Sequence, residues 1–289
     1  MANTSVYWGL VSCILRSGVL MPLMAFLDCT SANAQVIPDR TLNTTVSQSN
    51  DNFTITNGNR IGDNLFHSFS QFSVPTNSSA FFDNALDIQN IFSRVTGANV
   101  SNIDGLIKAN GSANLFLLNP SGIIFGANAQ LNIGGSFIGT TAESIKFADG
   151  FNFKATDTTR PPLLTMSVPV GLQFGSNPGA ITVRGSGHNA QLSDLARVSG
   201  LNVSLRGLQV KSEKSIALVG GNLAIDGGLL SAPGGHIELG SVIGGSVGIN
   251  SIPQGFGLSY PNPSTFGNIQ MTQRALGTNG TYLRVNVLV

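Results

Sequence analysis

From Ser215 onward the chain alternates short apolar runs with paired glycines. Gly220-Gly221, Gly227-Gly228 and Gly234-Gly235 recur every seven residues, and Gly244-Gly245 follows. Between them lie Ile216-Ala217-Leu218-Val219, Leu223-Ala224-Ile225, Leu229-Leu230 and Ile237-Glu238-Leu239, each too short for a helix. Paired glycines supply the positive φ angles of tight turns and make poor helix interiors, so the pattern predicts strand, turn, strand. Three sides of seven residues give a coil of about 21, inside the window of roughly 20 to 50 that marks solenoids. Upstream, Leu117, Ile124 and Leu131 keep the same spacing, and Phe137-Ile138 follows. One coil cannot offset an ordering cost of roughly 1.5 kcal/mol per residue, but several stacked coils can.

The stretch from Asn43 to Phe82 reads differently. Its spaced aromatics (Phe53, Phe66, Phe69, Phe72, Phe81, Phe82) and turn residues predict hairpins with one packed face, placed as a cap over the open end of the stack. Ala85 to Arg94, with Leu86, Ile91 and Val95 near helical spacing, is the one candidate helix. Asp157 to Pro169, which contains Arg160-Pro161-Pro162, is expected to be a loop or an edge excursion. The tail from Leu276 to Val289 no longer keeps the glycine-pair beat.

Composition narrows the setting. Lys plus Arg is 15 and Asp plus Glu is 14 in 289 residues, a near-balance that offers nothing to nucleic acid or anionic lipid. Charged residues are only 10%, so the polar surface is built of amides and hydroxyls, which suit ladders between stacked strands. Residues 1–34 read as a secretory signal: Arg16, an apolar stretch from Gly18 to Leu27, then the small-residue site Ala32-Asn33-Ala34. Cleavage there leaves Gln35 first and removes both cysteines, Cys13 and Cys29. A cysteine-free chain cannot be trapped in wrong disulfides while it crosses an oxidising compartment.

Asn119-Pro120-Ser121-Gly122 separates Leu115-Phe116-Leu117-Leu118 from Ile123-Ile124-Phe125, with Asn first, Pro second and Gly fourth, as a type I turn prefers. In these surroundings, with Asn64-Leu65-Phe66-His67-Ser68-Phe69 upstream and Gly234-Gly235-His236-Ile237-Glu238-Leu239-Gly240 downstream, the chain resembles the amino-terminal domain of two-partner secretion proteins of the filamentous haemagglutinin family, in its cyanobacterial flavour. Ser121 departs from that family's Asn-Pro-Asn-Gly. The second family motif is absent, and Asn177-Pro178-Gly179 is only a partial echo of it. The resemblance implies an all-β fold, a right-handed parallel β-helix with an N-terminal cap and extra-helical hairpins. It implies a signal peptide at 1–34, the secretion domain at 35–250 and an irregular or truncated tail at 251–289. It also implies export by way of the periplasm to the cell surface or medium, through a dedicated outer-membrane β-barrel transporter with periplasmic binding domains. Nucleation of β-helix folding and adhesion to a host cell or glycan complete that reading, with Asn119, Pro120, Ser121 and Gly122 as the secretion motif and no cofactor or metal.

Motifs for other chemistry are incomplete in this chain. Gly244-Gly245-Ser246-Val247-Gly248 matches a nucleophile elbow, but the last histidine, His236, precedes the serine. Gly185-Ser186-Gly187-His188-Asn189-Ala190 fits a dinucleotide fingerprint without the acidic residue about twenty positions on. His67, His188 and His236 lack metal-ligand spacing. The nearest acid pairs, Asp83 with Asp87 and Asp226 with Glu238, keep open the alternative of a secreted polysaccharide lyase or esterase. The favoured reading is not an enzyme.

Overall fold

The computed structural model describes residues 35–156, 164–185, 207–261 and 265–272. The signal segment with its cleavage site and both cysteines, Arg160-Pro161-Pro162, His188 and the tail from Leu276 lie outside the described residues.

The apolar runs wind into a parallel β-helix. Its first sheet stacks Asn64–Phe72, Asn90–Val95, Asn114–Leu118, Phe137–Thr140, Ile216–Gly220 and the start of Ile237–Ile252, all parallel. The second sheet stacks Ser101–Ile103, Ile123–Phe125, Ile181–Arg184, Leu223–Asp226 and Ile269–Thr272, also parallel. On the third side, Asn52–Asn57, Ser79–Phe82, Leu106–Ala109 and Gln130–Asn132 form one parallel stack, and Leu208–Gln209 with Leu230–Ser231 a separate pair. Ile216, Leu223, Leu230 and Ile237 therefore open four consecutive sides, and the seven-residue beat is a real side length.

Earlier coils are longer. The polar residues at the entry to the first sheet are 26 residues apart from Asn64 to Asn90, 24 from Asn90 to Asn114 and 22 from Asn114 to Ser136. From Ser136 to Ser215 the separation is 79, because the chain leaves the helix after Phe137–Thr140. These same residues form a ladder along the stack. Asn90 Nδ2 donates to Asn64 Oδ1 and Asn114 Nδ2 to Asn90 Oδ1, each at 3.0 Å; Ser136 N–H then reaches Asn114 Oδ1, and Ser215 N–H reaches Ser136 Oγ. Each rung pairs polar groups that burial would otherwise strand.

Two hydrophobic cores flank the first sheet. Inside the helix, Leu65, Ile91, Leu115, Phe137 and Ile216 stack in register, joined by Phe125, Ile181 and Leu223 from the second sheet. Outside it, Phe66, Phe92 and Phe116 line up one above another, with ring centroids 5.1 Å and 4.7 Å apart. This outer column is covered by an antiparallel layer: Asn152–Lys154, Ser144–Phe147 and Pro169–Phe174, followed by the later part of Ile237–Ile252 and Gly255–Ser259. Phe147, Phe153 and Phe256 seat their rings against the column.

Several expectations change. The segment proposed as a helix ends in the strand Asn90–Val95, and no helix occurs among the described residues. Its Leu86 is 74% exposed, while Ile91 and Phe92 are fully buried on opposite faces of one sheet. The stretch assigned to a cap holds the antiparallel hairpin Thr44–Ser49 with Asn52–Asn57, but Asn64–Phe72 and Ser79–Phe82 already belong to parallel stacks. Gly244-Gly245 is no corner. It bends one continuous strand from the first sheet into the outer layer, with Gly245 at φ +98°.

Arg94 is the largest fully buried side chain. Its Nε donates to Ser68 Oγ at 2.7 Å, one terminal nitrogen to Thr41 Oγ1 at 2.9 Å and the other to the Lys154 carbonyl, and the guanidinium lies 4.9 Å from the Phe153 ring centroid. Ser68 Oγ passes the polarity on to Asp39. A buried cation of this kind is tolerated only because each of its nitrogens finds an acceptor.

Phe92 touches both neighbours in the outer column and the covering layer. Replacing it with Ala is expected to cost about 3 to 5 kcal/mol, read as a lower urea midpoint at unchanged slope. A loss below 1 kcal/mol would mean that the outer core does not carry the fold.

Candidate functional site

The turn Asn119-Pro120-Ser121-Gly122 carries the chain from the first sheet to the second. Gly122 N–H donates to Asn119 C=O at 3.1 Å, closing the turn, and Ser121 N–H donates to Asn119 Oδ1 at 3.0 Å. Gly122 sits at φ +125°, in the region that only glycine enters freely. Asn119 is 1% exposed, and its Nδ2 donates to Asn99 C=O and Ser101 Oγ, both at 2.9 Å, on the preceding coil. Its N–H donates to Thr140 C=O on the following coil. Both side-chain donors and the acceptor of Asn119 are thus engaged inside the fold. What reaches the surface is Pro120 and Ser121, each half-buried.

The corner continues up the stack. Asn177-Pro178-Gly179, only an echo in sequence, lies directly on it: Gly179 N–H donates to Pro120 C=O at 2.8 Å, and Ile123 N–H donates to Ala180 C=O. Gly179 C=O then accepts Gly221 N–H at 3.0 Å and Thr141 Oγ1 at 2.7 Å. A Cβ on Gly179 would lie 2.4 Å from Gly122 N and Ser121 C, both backbone atoms, so the two turns can approach only because this residue is glycine. Sequence spacing could not reveal this contact, since the outer excursion separates the two turns.

The remaining candidates do not converge. Ser246 lies within a strand opposite Gln173, whereas a nucleophile elbow needs a strand-to-helix turn. Asp87 is paired with Arg60 at 2.7 Å, and Asp83 accepts Asn110 Nδ2. Asp226 belongs to the second sheet and accepts Thr272 Oγ1, while Glu238 belongs to the first and lies near Tyr260, whose hydroxyl is pushed up to about 12 by burial and then by that carboxylate. Asp226 instead shares a shallow depression of about 390 Å³ with Asp104 and Arg184. Burial works against ionisation of Asp104, but hydrogen bonds from Thr76 and from Asn128 N–H and Nδ2 hold its carboxyl below the usual range. Among the described residues no cluster of His, Cys, Asp and Glu is arranged to hold a metal ion.

The two described histidines are five strand spacings apart, about 24 Å along the stack. His236 is exposed. His67 is buried in the first coil, with Thr44 Oγ1 3.3 Å from Nδ1 and the rings of Phe69 and Phe82 beside it. Burial pushes its pKa down to about 3, so it is neutral in the folded chain. Around Asp39, burial is outweighed by hydrogen bonds from Ser68, Thr41 and Thr96, which hold that carboxyl below its ordinary value.

The model of the TPS secretion domain family matches residues 34–286. Among solved structures, the HMW1 secretion domain from Haemophilus influenzae superposes with a TM-score of 0.53 at 19% identity, covering 82% of this chain and 50% of that one. Among curated proteins, the heme/hemopexin-binding protein of Haemophilus influenzae is 36% identical over 69 residues, which is 24% of this chain and 7% of that protein. The chain thus spans half, or far less, of the relatives it matches.

Two outcomes follow from this geometry. Gly179→Ala should destabilise the fold by about 1 to 3 kcal/mol, because a backbone contact must open, and a thermal melt within 1 °C of the parent would contradict the stacked corner. For His67, the unfolded chain takes up a proton that the folded chain refuses between pH 6.5 and about 3. Stability therefore falls with pH across that window, by up to about 1.4 kcal/mol per unit. The share held by Asp39 is lost only as pH drops below 3.8 through its lowered folded value. Urea midpoints measured from pH 7 to 4 should fall less steeply for His67→Leu than for the parent, and parallel slopes would refute the assignment.

Proposed function

The chain belongs to the TPS secretion domain family, a group of export domains in two-partner systems, and from that premise we propose that it is the address through which a secreted protein is passed to its outer-membrane transporter. In this reading residues 1–34 deliver the chain to the periplasm as a cleaved signal, and the β-helix from Gln35 onward is the portion that the transporter's periplasmic domains recognise. The N-terminal strands Val36–Pro38 and Asn59–Ile61, which pair antiparallel with Asn64–Phe72, serve as the cap that keeps the first coil from associating edge to edge. Once outside, the domain starts the winding of a surface protein that serves adhesion to a host cell or a glycan.

The observation that supports the corner as the secretion motif is the engagement of Asn119 by three successive coils. Asn119, Pro120, Ser121 and Gly122 act together as a shape: the amide holds the turn closed, and the pyrrolidine ring and the serine are what a partner can touch. Ser121 occupies a position where its side chain has no fold-closing duty, which accounts for its tolerance of a residue other than Asn. The polysaccharide-cleaving alternative finds less support, since Asp104, the acid best placed in the depression on the second sheet, already accepts from three donors. The ligand named for the heme/hemopexin-binding protein is not carried over from so short a match.

The test is secretion in cells carrying the cognate transporter. Asn119→Ala removes a buried amide that holds three partners, and should cost about 1 to 3 kcal/mol and lower surface yield severalfold with the periplasmic pool retained. Pro120→Ala keeps the buried amide and probes recognition: reduced export at an unchanged urea midpoint supports the motif. Export of both variants at the parental level would remove it.

A further inference from the structure

The segment from Gln35 to Leu42 is fastened to the first coil by more than its strand. Val36–Pro38 lies antiparallel on the edge of Asn64–Phe72, with Ser73 N–H donating to Gln35 C=O at 2.9 Å and Asp39 N–H to Ser68 C=O at 3.3 Å. At one end of the segment Val36 is buried in the inner core, and at the other Leu42 is buried in the outer core. Between them Arg40 holds φ +64°, a left-handed turn that a residue with a Cβ adopts only under constraint. An edge strand of three residues belongs by its length to the parts of a fold that open most easily.

The stronger hold is a pair of hydroxyl relays. Arg94 Nε donates to Ser68 Oγ at 2.7 Å, and Ser68 Oγ donates to Asp39 Oδ2 at 2.5 Å. In parallel, Arg94 Nη2 donates to Thr41 Oγ1 at 2.9 Å, and Thr41 Oγ1 donates to Asp39 Oδ1 at 2.7 Å. A guanidinium only donates and a carboxylate only accepts, so each hydroxyl takes from the cation and gives its one proton to the anion. Both relays therefore run in one direction and end on the two oxygens of Asp39. An amide at position 39 would turn a donor towards one of these hydroxyls, and that relay could no longer run. The third guanidinium nitrogen, Nη1, holds the Lys154 carbonyl of the outer layer, next to Phe153. One buried side chain thus joins the N-terminal segment to the outer layer.

We propose that residues 35–42 are a releasable strap with Asp39 as its catch, and that seating the strap and closing the outer layer over the first coil are a single event transmitted by Arg94. With the strap released, Asn64–Phe72 loses the partner of its edge, and Val36 and Leu42 leave the two cores. Arg94 then loses Thr41 outright, and Ser68 loses the anion that orients its hydroxyl. The guanidinium no longer sits in a complete set of partners, and its hold on Lys154 slackens. The device is independent of the export reading: a chain that fails the secretion test still has the catch.

Hydrogen exchange on the full chain reads both ends of the device. Ser73 N–H reports the strap, and Ala155 N–H, which donates to Glu143 C=O, reports the outer layer. In the parent these two amides should share one degree of protection, at least about tenfold below that of Phe137 and Ile216 N–H deeper in the stack. Asp39→Asn should lower the protection of both by a common factor of at least about ten. Thr41→Val, which breaks one relay, takes its place should that chain not fold, with a common loss of about threefold. In an Arg94→Met background, Asp39→Asn should still free Ser73 but no longer move Ala155. Three results would each overturn the proposal: Ser73 protected as strongly as Phe137 and Ile216 in the parent, Ala155 unmoved by Asp39→Asn or its substitute, or Ala155 still following position 39 once Arg94 is gone.

Discussion

Every part of this structure depends on the backbone ladder between coils. A strand of a parallel stack must give its N–H groups to the coil on one side and take them from the coil on the other, and in doing so it places its alternate side chains above those of its neighbours. Leu65, Ile91, Leu115, Phe137 and Ile216 are core residues because each lies under the next, and none could be buried by its own coil. The same condition governs the corners. A turn that failed to stack would break the ladder on both its sides, so Asn119 gives its Nδ2 to the preceding coil while its Oδ1 holds its own turn closed, and Gly179 has no side chain that would hold the turns apart.

The first sheet meets a second demand, because both its faces are buried. Its inner face follows the rule for any solenoid, but its outer face needs a cover from elsewhere in the chain. The long departure between Ser136 and Ser215 supplies part of that cover, and the strand that turns at Gly245 supplies the rest. Arg94 stands where these demands meet, taking acceptors from the N-terminal segment, from the first coil and from the outer layer. Since a buried charge that loses one partner costs several kcal/mol, it ties the completion of the early coils to residues about sixty positions later.

This double burial explains what was and was not legible in the sequence. The beat from Ser215 to Leu239 was readable because those coils have equal sides and glycine corners, so period and punctuation agree. Asn90–Val95 was not, because Ile91 faces the interior and Phe92 the outer core. With both faces buried, and with Ser93 and Arg94 among the buried residues, the two-residue alternation vanishes, and the chance spacing of Leu86, Ile91 and Val95 mimics a helix. The turn at Asn119 was legible from its residue types alone, while its contact with Asn177-Pro178-Gly179 was hidden by the excursion between them. Nothing in the sequence marked Arg94 as buried, since its partners are scattered hydroxyls and a carbonyl.

The two cores also differ in how they can be built by a chain that emerges from one end. Apart from the 79-residue step from Ser136 to Ser215, the first sheet grows by local steps of 21 to 26 residues, each new coil covering the one before. The outer core cannot grow that way. Phe66 and Phe92 wait for Phe147 and Phe153, and Phe116 waits for Phe256, so the aromatic column of the first three coils stays uncovered until most of the domain has passed. Apolar area left open in this way drives the late segments back onto the early coils when they arrive, at roughly 25 cal/mol for each Å² covered. The interior is therefore closed largely by contacts between successive coils, whereas the outer core is closed by long-range ones.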